Sequence, residues 1–259
     1  MEHACMKRSH LSLFLSAVVC GVAACADPDA IEQIKKDVAV LKTQQTTLLE
    51  KIASIENTVK GRPMPAQQPQ PPVPQGPFTI PAKDAPVLGN PKAPTFIVAW
   101  SDFQCPFCSK ILPVINETLK DPEVSGKVAF VFKQFPLNFH QQAMPAAKAA
   151  LAAGRQGKFY EMHDKIFANQ QQINDQNLET WAKEIGLNVA RFKKDIADPA
   201  IEAQIKSDMD EGSKAGVRGT PSLYIGIKEG DSYVINRAQG RTVDSFKQAI
   251  KALLEKKPA

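Results

Sequence analysis

The sequence predicts a mixed α/β domain whose central sheet is flanked by helices and interrupted by a helical insertion, with a coiled-coil helix ahead of it. Three observations predict this. Residues 31–59 repeat apolar side chains every seven residues, and residues 61–94 then hold eleven of the chain's twenty prolines. From Thr95 onward a strand, helix and strand are followed by a long run of apolar residues at helical spacing, then two strands and a last helix.

The 259 residues are 43% hydrophobic and 23% charged, with a formal net charge of +5. Such values suit a globular chain of one or two domains and exclude collagenous, polytopic and wholly disordered classes. No basic run stands beside aromatic residues, so nucleic acid is not an expected partner. Residues 1–26 read as an export signal: Lys7 and Arg8 precede an apolar run from Leu11 to Ala24 that is short for a bilayer span. Two cleavage patterns overlap there. Val22-Ala23-Ala24-Cys25 resembles a bacterial lipobox, which makes Cys25 a lipidation candidate, while Ala24-Cys25-Ala26 fits ordinary cleavage before Asp27. Both place the folded part in the periplasm, with or without a lipid anchor.

Of five cysteines, Cys5 and Cys20 fall in the signal and Cys25 is removed or lipidated. Only Cys105 and Cys108 reach the folded domain, so no structural disulfide framework is expected. A Cys-x-x-Cys pair in an oxidising compartment is more often a redox centre than a staple.

In residues 27–60, Ile31, Val38, Ile52 and Val59 occupy one core position of the heptad and Ile34, Leu41, Leu48 and Ile55 the other, with Gln45 as the interruption. A single such helix cannot bury its own seam, so this segment predicts a homo-oligomer, a dimer in first place and a trimer in second. A lone amphipathic helix packed on the domain is the plainer alternative. Residues 61–94 read as a proline-rich spacer in extended polyproline II geometry, reaching about 50 Å over residues 61–77.

The domain is assigned to residues 95–257. Thr95–Trp100 and Val128–Phe132 read as buried strands around a helix from Pro106 to Leu119. The stripes Phe159, Met162, Ile166, Phe167, then Leu178, Trp181, Ala182, Ile185, then Ile201, Ile205, Met209 form the insertion over about 139–215. Strands at Ser222–Gly226 and Tyr233–Arg237 follow, and a helix capped by Thr242 presents Phe246, Ala249, Ile250 and Leu253 inward.

The chemistry lies in Phe103-Gln104-Cys105-Pro106-Phe107-Cys108. A cysteine opening a helix meets unsatisfied backbone N–H groups and the positive end of the dipole, which favour thiolate and make Cys105 the nucleophile. Pro106 costs no hydrogen bond at the first helical position, and Cys108, one turn on, can resolve a mixed disulfide. Zinc would need about four ligands, and the domain adds only His140 and His163, read as structural or surface histidines. Copper(I) capture by the dithiol is chemically reasonable, and a closed structural disulfide over so short a loop would add little stability. No metal or cofactor is assigned.

Three stretches together resemble the DsbA-like branch of the thioredoxin superfamily: residues 103–108, Gly219-Thr220-Pro221 before a strand, and Phe135-Pro136-Leu137-Asn138-Phe139-His140 with Gly157-Lys158-Phe159. The resemblance covers about residues 78–257. It implies a thioredoxin fold with an inserted helical subdomain, a cis Pro221 against the active pair, and a Thr220 backbone that pairs with the substrate chain. Without the resemblance, residues 219–221 would read as a turn. Two departures matter. Phe107 stands where DsbA has histidine, which implies a milder oxidant, and Ala99 stands where many relatives have a buried acid. The proton acceptor for Cys108 then has to be water or Asp102, unless Asp102 is simply a loop cap.

The expected activity is therefore a periplasmic protein disulfide oxidoreductase or isomerase. Cys105 and Cys108 carry the chemistry, Pro106 and Phe107 complete the motif, and Phe103, Thr220 and Pro221 line a surface for unfolded or misfolded exported proteins. A membrane redox partner would reset the Cys105-Cys108 disulfide. The alternative is a lipid-anchored copper(I)-buffering or binding protein on the same platform.

Overall fold

A computed structural model describes residues 28–60, 74–82 and 85–256. The signal-peptide and Cys25 readings, and residues 61–73 of the spacer, lie outside the described residues. The chain divides into two compact units, Met1–Pro71 and Pro72–Ala259.

In the first unit a single helix, α1, spans Pro28–Lys60, about 50 Å at 1.5 Å per residue. Every side chain described along it, residues 28–56, is exposed. The heptad seam is part of that surface, with Ile34, Leu41 and Ile55 each about three-fifths exposed.

In the second unit, strands β1 (Phe78–Pro81), β2 (Val87–Leu88), β3 (Thr95–Ser101), β4 (Val128–Gln134), β5 (Ser222–Glu229) and β6 (Ser232–Arg237) form one sheet in the order β1-β6-β5-β3-β4-β2. β3 and β4 are parallel, joined through α2 (Pro106–Lys120), and the other pairs are antiparallel. Their continuous apolar runs are buried on both faces, as a parallel pair at the centre of a sheet requires. Alternation splits the core in two. Ile97, Ala99, Phe130 and Phe132 face one cluster with Ile111, Ile115, Phe246 and the inserted helices. Phe96, Val98, Trp100 and Val131 face the other with Tyr224, Tyr233 and Ile80.

The insertion comprises α3 (Ala143–Gly154), α4 (Phe159–Ala168), a 3-10 turn (Gln170–Gln172), α5 (Asp175–Glu184), α6 (Val189–Ile196) and α7 (Pro199–Lys214). The buried alanines of α3 let its neighbours approach closely. Asn174, Asn188 and Asp198 cap α5, α6 and α7 by accepting backbone N–H bonds, as their residue types predict. Gly216, at φ +78, turns the chain out of α7 in a conformation that a side chain would strain. Gly212 is required for another reason: a Cβ there would sit 2.7 Å from Trp100 Nε1 and 2.8 Å from its Cδ1.

That close approach lets α7 bond to the sheet. Trp100 Nε1 donates to the Asp208 carbonyl at 2.7 Å. Lys133, 2% exposed, donates to Asp208 Oδ1 at 2.9 Å and Glu211 Oε2 at 2.8 Å, while the Gln134 N–H donates to Asp208 Oδ2 at 2.9 Å. Burial opposes the charge on Lys133, but the two carboxylates outweigh it and hold its pKa above the usual lysine value. The final helix, α8, spans Val243–Lys256. At its start the Ser245 N–H donates to Thr242 Oγ1 and the Thr242 N–H to Ser245 Oγ, a reciprocal cap with serine in the place usual for glutamate.

The structure corrects two boundaries. Strands β1 and β2 lie inside the stretch assigned to the spacer, so the folded unit begins well before Thr95. Edge strands of four and two residues carry too little alternation to be read, and Pro81 is tolerated at the end of an edge strand. The inserted helices begin at Ala143, because residues 137–142 form a loop fastened to the active loop.

Candidate active site

Cys105 is the residue immediately before α2, with extended torsions (φ -72, ψ 120), and Pro106 takes the first helical position. The Cys108 N–H donates to the Cys105 carbonyl at 3.0 Å, closing the first turn. Both thiols are free and both are buried, Cys105 at 3% and Cys108 at 0% exposure. Cys105 lies against the loop before β5: its Sγ is 3.4 Å from the Thr220 carbonyl oxygen, and the Thr220–Pro221 peptide bond is cis. The start of α2 and the loop before β5 therefore approach each other at this sulfur.

Cys108 lies behind it. Burial is the main influence on its thiol and pushes the pKa up to about 12. The Ser101 hydroxyl and the Asp102 N–H, the latter 3.5 Å from Sγ, oppose that rise without overcoming it.

Asp102 is the cap of the active loop. Its Oδ1 accepts from Gln104 N at 2.7 Å and Cys105 N at 3.2 Å, and its Oδ2 accepts from Leu137 N at 2.8 Å and lies 2.8 Å from His140 Nδ1. Gln104 adds a second tie, its Oε1 accepting from Gln142 N at 2.7 Å. On the opposite side, Gln170 Nε2 donates to the carbonyls of Phe103 at 2.7 Å and Cys105 at 3.1 Å.

Phe103 is a correction. It was expected on a substrate-accepting surface, yet it is 1% exposed, with its ring centroid 5.0 Å from those of both Phe132 and Phe167. Chain order puts it just past a buried strand, and α4 closes over it. Phe107 does face outward, 62% exposed, with the Lys110 ammonium 5.5 Å from its ring centre. Phe139, 71% exposed, stands beside His140 in the loop tied to Asp102. Sequence reasoning assigned no role to Phe139, Gln104, Gln142 or Gln170 and treated His140 as ordinary. His163 is structural: it is 3% exposed within an aromatic cluster, and burial lowers its pKa.

Among the described residues, no group of three or more His, Cys, Asp or Glu could hold a metal ion. No described helix is long and apolar enough to cross a membrane.

The Thioredoxin family model matches residues 82–252. Among curated proteins, the chain is 30% identical to a probable disulfide bond formation protein D of Bacillus anthracis over 154 residues, covering 53% of this chain and 68% of that one. It is 33% identical over 162 residues to a Na(+)/H(+) antiporter, NhaA 1, of Salinispora arenicola. That match covers 62% of this chain and 24% of the antiporter, so the chain spans about a quarter of that relative's length. Among solved structures it resembles a thioredoxin-like oxidoreductase from Silicibacter pomeroyi (TM-score 0.56, 27% identity, 68% of this chain and 95% of that one). It also resembles the thiol-disulfide exchange protein alpha-DsbA2 from Wolbachia pipientis (TM-score 0.54, 26% identity, 66% and 88%).

Proposed function

This chain belongs to the thioredoxin family, and from that premise we propose that it is a thiol–disulfide oxidoreductase that forms and isomerises disulfide bonds in exported proteins. The observation that carries the reading is the Cys105 sulfur at a helix start, 3.4 Å from the Thr220 carbonyl before cis Pro221, with Cys108 buried behind it.

In oxidation, a substrate thiolate attacks the Cys105 sulfur of the Cys105–Cys108 disulfide. The internal bond breaks, and Cys108 leaves with the electron pair and takes up a proton, as its raised pKa of about 12 favours. A second substrate thiolate then attacks the substrate sulfur of the mixed disulfide and releases Cys105 reduced. The substrate leaves with a new disulfide, and a membrane partner removes the two electrons. In isomerisation, reduced Cys105 attacks a wrong substrate disulfide and Cys108 releases any adduct that does not rearrange.

The binding surface is made by Phe107, the Thr220 backbone and Pro221, with Pro106 fixing the turn. Phe107 offers neither a hydrogen bond nor charge, which supports a milder oxidant than one with histidine there. The exposed apolar seam of α1 supports association into a dimer or trimer, which would set several Cys105 sites around one substrate and raise their effective concentration. A periplasmic location, anchored by lipid on Cys25 or free, completes the reading.

Replacing the resolving cysteine tests it. Cys108→Ala should accumulate mixed disulfides between Cys105 and exported proteins, seen as reducible high-mass bands on a non-reducing gel. A Cys108→Ala protein that forms none, while wild type is folded and present, refutes the activity.

A further inference from the structure

The active loop is gripped from both sides. The Asp102 carboxylate takes the N–H groups of Gln104 and Cys105, while the Gln170 amide gives its two hydrogens to the carbonyls of Phe103 and Cys105 at 2.7 and 3.1 Å. The Cys105 carbonyl is also the acceptor that closes the first turn of α2 through the Cys108 N–H. Gln170 therefore bonds to the same carbonyl oxygen that links the two cysteines through the backbone. It does so from the 3-10 turn after α4, whose Phe167 also packs on the Phe103 ring.

We propose that Gln170 is a positioning residue for thiol exchange: its amide fixes the Phe103 and Cys105 carbonyls so that the Cys108 sulfur is held facing the Cys105 sulfur. The proposal rests on the oxidoreductase reading and adds a residue of the helical insertion to it. Gln170 holds neither sulfur. It acts on how often the two meet, which is the effective concentration of one thiol at the other.

The test uses the full chain and glutathione. Glutathione disulfide reacts with the Cys105 thiolate to form a Cys105–glutathione disulfide and one glutathione. The Cys108 sulfur then attacks the Cys105 sulfur, the bond to glutathione breaks, and the second glutathione leaves, taking up the proton that Cys108 loses. Closure is followed as release of this second glutathione, and the equilibrium constant of the pair is read against a glutathione buffer. Gln170→Ala and the similarly sized Gln170→Met should close roughly tenfold more slowly, with the equilibrium moved roughly tenfold toward the dithiol, about 30 mV. Gln170→Glu supplies a readout that a merely structural role would not move. Its ionised carboxylate faces two carbonyl oxygens and cannot donate, whereas its protonated form restores one bond. The closure rate of Gln170→Glu relative to Gln170→Ala should therefore fall as pH rises through the carboxyl range.

Variants with native near-ultraviolet dichroism that close at the wild-type rate with the wild-type equilibrium constant overturn the positioning role and leave the oxidoreductase reading intact. A wild-type chain that does not exchange with glutathione disulfide at all overturns both. If Gln170→Ala does not fold, the outcomes are read from Gln170→Met and Gln170→Glu.

Discussion

Asp102→Asn is the sharpest test of how the active loop is built. The carboxylate meets four donors or ring nitrogens, Gln104 N, Cys105 N, Leu137 N and His140 Nδ1, at 2.7 to 3.2 Å. An asparagine can turn its oxygen toward Gln104 and Cys105 and keep those two bonds. Its amide then points at the Leu137 N–H, donor against donor, and that N–H loses its acceptor at a cost of about 1–3 kcal/mol. The other orientation orphans two N–H groups and is worse. His140 can adapt by presenting an unprotonated Nδ1 to the new amide. The two retained bonds lose their charge assistance, about 1 kcal/mol more. The loss should come to about 3 kcal/mol, or a fall in Tm of roughly 6–12 °C for a domain of this size. Thermal unfolding of the dithiol form, followed by circular dichroism, measures it. Asp102→Asn should also couple to His140→Gln, the double variant losing less than the separate losses combined. An Asp102→Asn protein melting within about 1 °C of wild type would refute the clamp, since no single buried carboxylate with these partners can be that cheap to replace.

Three further outcomes follow from the structure. Phe103→Ala should cost about 3–5 kcal/mol of stability because its ring is packed between Phe132 and Phe167, whereas Phe107→Ser should stay within about 0.5 kcal/mol and slow exchange with unfolded proteins but not with glutathione; denaturant unfolding beside the two assays separates them. His163 has its pKa lowered by burial from the ordinary 6.5, so the unfolded chain binds the proton more readily, and the stability this group contributes is complete above that value and declines as pH falls below it; a His163→Phe chain that folds should show a flatter decline between about pH 7.5 and 5. Deleting residues 27–60 should give a monomer by light scattering that still oxidises thiols but isomerises poorly, and an unchanged particle mass would refute the self-association of α1.

Much of the sheet is legible from local pattern. Thr95–Trp100 and Val128–Phe132 announce themselves as continuous apolar runs because a buried parallel pair has no polar face to show. The Cys105–Cys108 pair is legible from spacing, and Asp102 as a cap from the short reach of its side chain to Gln104 N, two residues on. What escaped is long-range or very short. His140 lies 38 residues from Asp102 and Gln170 lies 65 from Cys105, and nothing near either residue marks the other as its partner. Phe103 and Phe107 lie four residues apart in sequence, one in the loop before α2 and one in its first turn, and meet opposite fates because α4 closes over Phe103 alone. β1 and β2 were hidden by their brevity.

The helical insertion is locked to the sheet where it begins and where it ends. At one seam Asp102 and Gln104 hold Leu137, His140 and Gln142; at the other, Lys133, Gln134 and Trp100 hold the last turns of α7. The bundle is thus fastened by hydrogen bonds at both of its edges. Phe107, Lys110 and Phe139 stand outside both fastenings and are exposed, so their rotamers can change without disturbing either seam.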